Sequence, residues 1–493
     1  MPDYMFQLES RLSPEQRAAM VRIQELASES EANLYLAGGA VRDVVSGMSI
    51  RDLDFTIEGN PSRIVRELEK GGARVTREDD SLRATELVLS GDVDASISAA
   101  REDIYARPGA KPETRFSTIM EDLRRRDFSI NAIAISLNPN SRGLLLDPTN
   151  GLADLERHEI RALSIHSFTN QPVRLLRALR YEARMGFKME SRTKEWFSLA
   201  IERELEETIS EHDAGSEFRQ VGREEKPAAV LKSWESHGLL RIVHPTLAKR
   251  HPDYDAINRI FRVREDLVSS GLRPRLFAPV TVAILGRLKD NERKSVLGRM
   301  SLAPSELRAV QEVEPEALKI VKLLSGSKTA AARDAYAFLE KAPLELLAYI
   351  LAESNNGKAV GKIRTYFSKW KPLRQALPGV AAELEVLGVQ RGPKFDKVLE
   401  DFFQLQLLGR ARKPEEHAKI LRKLAGIKEP PKKVEEKKKP EKPKKKGEAA
   451  PKPEAAAPAP APPAKIQPHR PAPGRSSPAS KPKPKPKTKS KKK

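Results

Sequence analysis

The residues best equipped for chemistry are Asp52 and Asp54, in the run Arg51-Asp52-Leu53-Asp54-Phe55-Thr56-Ile57. On a strand, residues two apart share a face, so both carboxylates project to one side while Leu53 and Phe55 turn to the other. Such a pair is costly to fold unless a cation sits between its members. Two divalent ions about 3.5–4 Å apart would fit, one activating an attacking hydroxyl and the other holding a triphosphate. An isolated Asp-x-Asp is usually a solvated turn or strand edge, but here Leu36-Ala37-Gly38-Gly39-Ala40-Val41-Arg42-Asp43 lies just upstream. That run reads as a strand entering two glycines and then a helix. Glycines let backbone amides approach a ligand closely, and the helix start presents unpaired N–H groups suited to phosphate. Together the two motifs point to nucleotidyl transfer.

A third carboxylate is expected from a neighbouring strand, and Asp94 in Val93-Asp94-Ala95-Ser96-Ile97 is the best candidate, a solvent-facing strand-end charge being the alternative. Downstream, Arg124-Arg125-Arg126 with flanking Asp122 and Asp127 could hold a triphosphate through bidentate contacts while a carboxylate takes a ribose hydroxyl. An exposed charged helix end would look the same.

The elements that must position these groups follow from period and punctuation. Leu34 to Leu36, Leu53 to Ile57, Ala73 to Val75, Leu87 to Leu89, Val93 to Ile97 and Ile133 to Leu137 read as five or six strands. Pro14 to Leu26 and Pro61 to Lys70 read as helices with proline in the first turn, capped at Ser13 and Asn60. After about residue 150 the apolar spacing is almost wholly helical, which predicts an α+β head followed by an all-α body. The chain has 493 residues and a net charge of +21, of which 22 Lys or Arg against 6 Glu beyond Ile427 supply +16. With 17 prolines there and few large apolar residues, that tail is expected to stay disordered, either as an electrostatic arm for polyphosphate or as a solubility tail. The absence of cysteine excludes a disulfide scaffold, a zinc-thiolate protein and a thiol nucleophile. The N-terminus lacks the basic and apolar regions of a signal peptide, and the longest apolar stretch, Phe277 to Gly286, is about half of the roughly 20 residues a membrane helix needs. A soluble, cytoplasmic protein with no membrane partner is expected.

In order along the chain, Gly38 to Asp43, Asp52-Leu53-Asp54, Arg101 to Tyr105, Pro108 to Pro112, Asp122 to Asn131, Asp147-Pro148 with Gly151, and Pro172 to Tyr181 resemble the class II tRNA nucleotidyltransferase and poly(A) polymerase family. That family lies within the DNA polymerase β-like superfamily. The resemblance reaches Gly238-Leu239-Leu240, and Gly388 to Pro393 looks like a tail element. It implies a mixed-sheet head at 1–140, a neck at 141–215 with a base-reading helix, a helical body at 216–300 and an RNA-binding helical tail at 301–427, ahead of the basic extension at 428–493. It also implies addition of CMP, CMP and AMP to the 3′ end of tRNA from CTP and ATP, with Mg²⁺ and no template. By carry-over, Asp52 and Asp54 bind metal, Gly38, Gly39 and Arg42 serve the triphosphate, and Arg125, Arg126 and Asp127 serve phosphates and ribose.

One departure stands out. Family members usually carry Glu-Asp-Pro-x-Arg at the neck, where this chain reads Asn170-Gln171-Pro172-Val173-Arg174. In the family the Asp and Arg read the incoming base. C and A each offer an amine to an acceptor and a ring nitrogen to a donor, and a carboxylate only accepts whereas an amide can turn over and donate. Gln171 is therefore expected to exclude U and G less strictly. Arg174, Arg177, Arg180 and Arg184 form a stripe on the neck helix, read either as a solvated face or, better, as facing nucleotide or acceptor stem. Gly388 to Phe395 either grips RNA phosphate or merely stops a helix. Addition of A alone, of CC alone, or of poly(A) stays open within the family. A catalytically silent RNA-binding protein is the alternative of a different class.

Overall fold

The computed structural model describes residues 3–107, 109–300, 302–411 and 414–427. The expected basic tail lies outside the described residues. Two helices, α1 (Tyr4–Arg11) and α2 (Pro14–Glu29), precede the sheet. Ser13 caps α2 in a reciprocal box: its Oγ accepts from Gln16 N at 3.1 Å and its N–H donates to Gln16 Oε1 at 3.0 Å.

Strands β1 (Leu34–Ala37), β2 (Leu53–Ile57), β3 (Arg74–Asp79), β4 (Ala84–Leu89) and β5 (Val93–Ala99) are followed by a hairpin, β6 (Arg101–Ile104) and β7 (Glu113–Phe116), and then by β8 (Ala134–Ser136) and β9 (Leu145–Leu146). Seven of these form one mixed sheet in the order β3-β4-β5-β2-β1-β8-β9, and β6 pairs only with β7. β2 runs antiparallel to β1 and parallel to β5, with Leu53 opposite Ala95 and Asp54 opposite Ser96. The alternation of β5 buries Val93, Ala95, Ile97 and Ala99 on one face and leaves Asp94, Ser96 and Ser98 on the other. Leu36, Leu53, Phe55, Ile57, Ile97 and Ile135 form the inner layer, covered by Val41 and Val44 of α3 (Gly39–Val45) and Met20 and Ile23 of α2.

Two expectations need correction. The helix after β2 is α4 (Ser62–Lys70), capped at Pro61, and Asn60 instead makes a local turn by accepting from Ser62 N at 3.0 Å. The sheet also runs past residue 140, because β9 pairs with β8. Neither β9 nor the charged hairpin β6–β7 carries the apolar alternation that marks a strand in sequence.

The chain then becomes helical. The neck helix, Arg174–Met185, ends at Gly186 with φ +71° and buries Leu175, Leu176 and Leu179 completely. Trp234 Nε1 donates to Leu176 O at 2.9 Å, tying the next helices to it. One continuous core runs from Leu8 through head, neck and body to Val313 and takes in Ala348, and a second contains Ala317, Ile320, Leu324 and residues on to Ala425. Both use the helix Pro304–Ser325, whose interior holds Pro315 between the two sets. Gly388, with φ +83°, lies between the helices Leu377–Val386 and Pro393–Leu407. The apolar stretch at 277 is the helix Phe277–Ile284, buried in the first core. No helix among the described residues is long and apolar enough to cross a membrane.

Candidate active site

The turn from β1 into α3 places Gly38, at φ +69°, against the acidic pair. A Cβ on Gly38 would stand 2.7 Å from Arg126 Nη1, and one on Gly39 would stand 3.3 Å from Asp54 Oδ2. Gly38 is thus required by its left-handed backbone and would push Arg126 aside if it bore a Cβ, whereas at Gly39 the Asp54 carboxylate would have to give by a few tenths of an ångström. Arg42 is not exposed to the same space. It is buried, donating from Nε to Asp43 Oδ1 at 2.9 Å and from Nη1 to Asn131 Oδ1 at 2.6 Å, and it lies under Gly39 as a support. The triphosphate contact expected of its side chain does not fit that placement.

Asp52 and Asp54 share a sheet face as the strand period requires. Asp54 Oδ1 accepts from Ser96 Oγ at 2.8 Å, and Asp52 lies 3.6 Å from Arg51 Nε. Burial, and then the charge of Asp52, push Asp54 up to about 6. Burial also opposes ionisation of Asp52, but Arg51, Arg184 and Arg223 outweigh it and hold its pKa below the usual carboxylate range. The two-oxygen face is therefore short of positive charge on the Asp54 side, and hard oxygen donors of this kind fit Mg²⁺.

Asp94 is on the correct face but is not gathered with the pair. Its side chain is 46% exposed and its nearest cation is Arg275 Nη2 at 3.8 Å. Among the described residues no three Asp, Glu or His cluster closely enough to hold an ion. The demand for a third protein carboxylate was too strict, because Mg²⁺ commonly uses one or two carboxylates and fills its octahedron with phosphate oxygens and water.

The basic run resolves into unlike parts. Arg124, at the end of α5 (Ile119–Arg124), is exposed and pairs with Glu121. Arg125 and Arg126 turn inward onto Asp122, which is fully buried. Arg125 Nη1 also donates to Asp103 Oδ2 at 3.0 Å, and Arg126 Nη2 to Thr56 Oγ1 at 3.1 Å. Asp127 accepts from Asn131 Nδ2 at 2.9 Å and from Arg177 Nη1 at 3.1 Å. Burial opposes its charge, yet Arg177 and Arg174 hold its pKa low. The anchoring role of Asp122 is visible in its i+3 and i+4 spacing to Arg125 and Arg126; the role of Asp103, which comes from a separate hairpin, leaves no local signal.

At the neck, Gln171 Oε1 accepts from Arg174 Nε at 2.8 Å, and Gln171 Nε2 donates to the Tyr105 hydroxyl. Arg177 lies between Asp127 and Glu217, Arg180 between Glu217 and Glu224, and Arg184 against Asp43. The arginine stripe is therefore not a solvated face: Arg174 and Arg177 line the space beside Asp127 and Gln171. Arg180 and Arg184 are committed to internal ion pairs.

Gly38, Gly39, Asp52, Asp54, Asp94, Arg125, Arg126, Asp127, Gln171, Arg174 and Arg177 all line one cavity of about 1000 Å³. A second cavity, of about 1250 Å³, lies between head, body and the helix Pro304–Ser325, with Arg51, Arg223, Arg264 and Arg275 on its walls. Asp52 and Asp94 line both cavities and Asp54 lines the first alone, so Asp52 stands where the two spaces meet.

A head with this sheet, a Gly-Gly turn and a facing Asp pair is an arrangement suited to nucleotidyl transfer. The family model for the poly A polymerase head domain matches residues 34–161. The A-adding tRNA nucleotidyltransferase of Geobacter sulfurreducens is 25% identical over 428 residues, covering 85% of this chain and 48% of that protein. That of Halalkalibacterium halodurans is 29% identical over 83% of this chain and 92% of its own length. The CC-adding tRNA nucleotidyltransferase of Deinococcus radiodurans is 35% identical over 36% of this chain and 48% of its own. Among solved structures, apo form II of a CCA-adding enzyme covers 86% of this chain and 99% of its own at 26% identity, with a TM-score of 0.46. Over residues 34–161 the chain is thus similar to the poly A polymerase head domain, and over most of its length it is similar to tRNA nucleotidyltransferases, spanning about half of the Geobacter protein.

Proposed function

We propose that this protein adds nucleotides to the 3′ end of tRNA without a template, using CTP and ATP and releasing pyrophosphate. The observation that carries the reading is the placement of Asp52 at the junction of two cavities, with Asp54 lining the first. A transferase with two large substrates needs such a junction. The first cavity, with Arg125, Arg126, Asp127 and the bare Gly38-Gly39 turn, suits a nucleoside triphosphate. The second, whose walls mix Arg51, Arg223, Arg264 and Arg275 with Glu224, Glu225, Glu306 and Glu312, is left for the RNA end, whose duplex offers shape and phosphate more than sequence.

In this reading Asp52 and Asp54 hold Mg²⁺, which when bound lowers the pKa of the primer hydroxyl and offsets charge on the phosphates. Arg126 is fixed by Asp122 and Thr56 at the edge of the pair, and with Arg125 orients the triphosphate. The terminal ribose oxygen then forms a bond to the α-phosphorus while the bond to the pyrophosphate oxygen breaks. Gln171 and Arg174 face the base.

Addition of CMP, CMP and AMP is one scope for this activity. A second, AMP alone, is favoured by the A-adding names of the relatives in Geobacter and Halalkalibacterium, each matched over more than four fifths of this chain. Primer extension decides between them, using tRNA ending before CCA, tRNA ending in CC and unstructured RNA, with each nucleotide supplied singly. Extension of all tRNA forms supports full CCA addition, and extension only after CC supports A addition. Repeated A on unstructured RNA would indicate a poly(A) polymerase. Asp52→Ala should lower the rate on the order of a thousandfold, as expected for losing several kcal/mol of transition-state stabilisation. Equal rates for the variant and its parent would remove the proposal.

A further inference from the structure

The neutral Gln171 creates a problem for base selection, and the structure contains a second anchor that addresses it. Tyr105 follows β6 and lines the same cavity as Gln171 and Arg174. Arg174 is itself held, donating from Nη1 to Ser167 Oγ at 3.2 Å and from Nη2 to Arg125 O at 3.0 Å. A guanidinium only donates, so its Nε–H draws the oxygen of the Gln171 amide toward it and turns the nitrogen toward the Tyr105 hydroxyl. Burial and the nearby Asp103 raise the Tyr105 pKa, so the hydroxyl keeps its proton.

Held this way, the amide keeps one oxygen lone pair and one N–H free. An acceptor beside a donor matches the amine and ring nitrogen of A or C. The last torsion of glutamine is broad, and an unanchored amide could turn over or swing away to meet U or G equally well. Turning over would set N–H against the Arg174 N–H. Swinging away would break the bonds to both Arg174 and Tyr105.

We propose that Tyr105 is a specificity-determining positioning residue, whose hydroxyl pins the Gln171 amide so that a neutral side chain still favours C and A over U and G. This rests on the reading of Gln171 as a base-facing group in a tRNA nucleotidyltransferase.

The test is a cycle of Tyr105→Phe and Gln171→Glu, made singly and together in the full chain. The readout is kcat/KM for ATP against UTP and GTP on tRNA ending in CC. Tyr105→Phe alone should lower the preference for ATP by about 3–10-fold, the scale of one lost hydrogen bond. In the Gln171→Glu background the isosteric carboxylate has two acceptors and nothing to turn over, so adding Tyr105→Phe should leave the preference unchanged. A purely structural role for Tyr105 would lower it equally in both backgrounds and overturn the proposal, as would an unchanged ratio in the first variant. A parent chain that extends RNA with no nucleotide would instead overturn the functional reading, and this inference with it.

Discussion

Gly38 combines a backbone that L side chains rarely adopt with a space already filled by Arg126. Gly38→Ala should therefore destabilise the head by about 1–3 kcal/mol and displace Arg126 from the acidic pair. Thermal unfolding and a nucleotide titration check both effects, and an unaltered melting temperature would contradict the account. Gln171→Asp should sharpen selection of C and A over U and G by giving Arg174 an acceptor that cannot reverse, and misincorporation assays on variant and parent compare them. At this scale the sequence was informative wherever a short-range rule applies. Asp52 and Asp54 are legible because a strand repeats every second residue, and Gly38-Gly39 because glycines between strand and helix mark a tight approach. Arg42 misled because nothing in its neighbours reveals that Asn131, 89 positions away, takes its guanidinium. Tyr105 was hidden for the same reason, being 66 positions from Gln171.

Among the elements, the neck helix shows best how a local pattern can be seen and still be misread. The helical period puts Arg174, Arg177, Arg180 and Arg184 on one side, but the acidic partners of the last three come from the head at Asp43 and Asp127 and from the body at Glu217 and Glu224. Glu217 is 3% exposed and takes both Arg177 and Arg180. Burial opposes its ionisation, but the two guanidiniums outweigh that and hold its pKa below the ordinary value. A depressed carboxylate stabilises fully above the unfolded pKa of about 4.3, and its contribution fades as pH falls through the lower folded value. Glu217→Gln should thus cost about 3–5 kcal/mol near pH 7, the scale of breaking a buried pair from one side. The variant should also lose less further stability than its parent on acidification below about pH 4.3. Chemical denaturation at several pH values reads both, and identical pH dependence would refute the assignment. The strands were recognisable where alternation is strong. β9 and the hairpin β6–β7 escaped because two residues, or a run such as Arg101-Glu102-Asp103-Ile104, carry no such alternation.

For the molecule as a whole, charge is concentrated where the sequence has 22 Lys or Arg beyond Ile427. If that segment contacts RNA, ending the chain at 427 should flatten the slope of log affinity for tRNA against log salt, since each phosphate neutralised contributes about 0.7–0.9 to it. An unchanged slope would leave a solubility tail as its role. The division into head and helical body follows from the change in apolar period near residue 150, but the partition of the interior at Val313 and Ala317 does not. Both halves of the helix Pro304–Ser325 look alike in pattern. Its Pro315 has no N–H, so one rung of the backbone ladder is missing between Val313, which faces the first interior, and Ala317, which faces the second. A bend is favoured at such a place, but the helix Leu344–Glu353 opposes it by giving Ala348 to the first interior and Leu347 and Ile350 to the second. That helix acts as a splint laid across a weak joint, so the distal half keeps its bearing although the rung is missing.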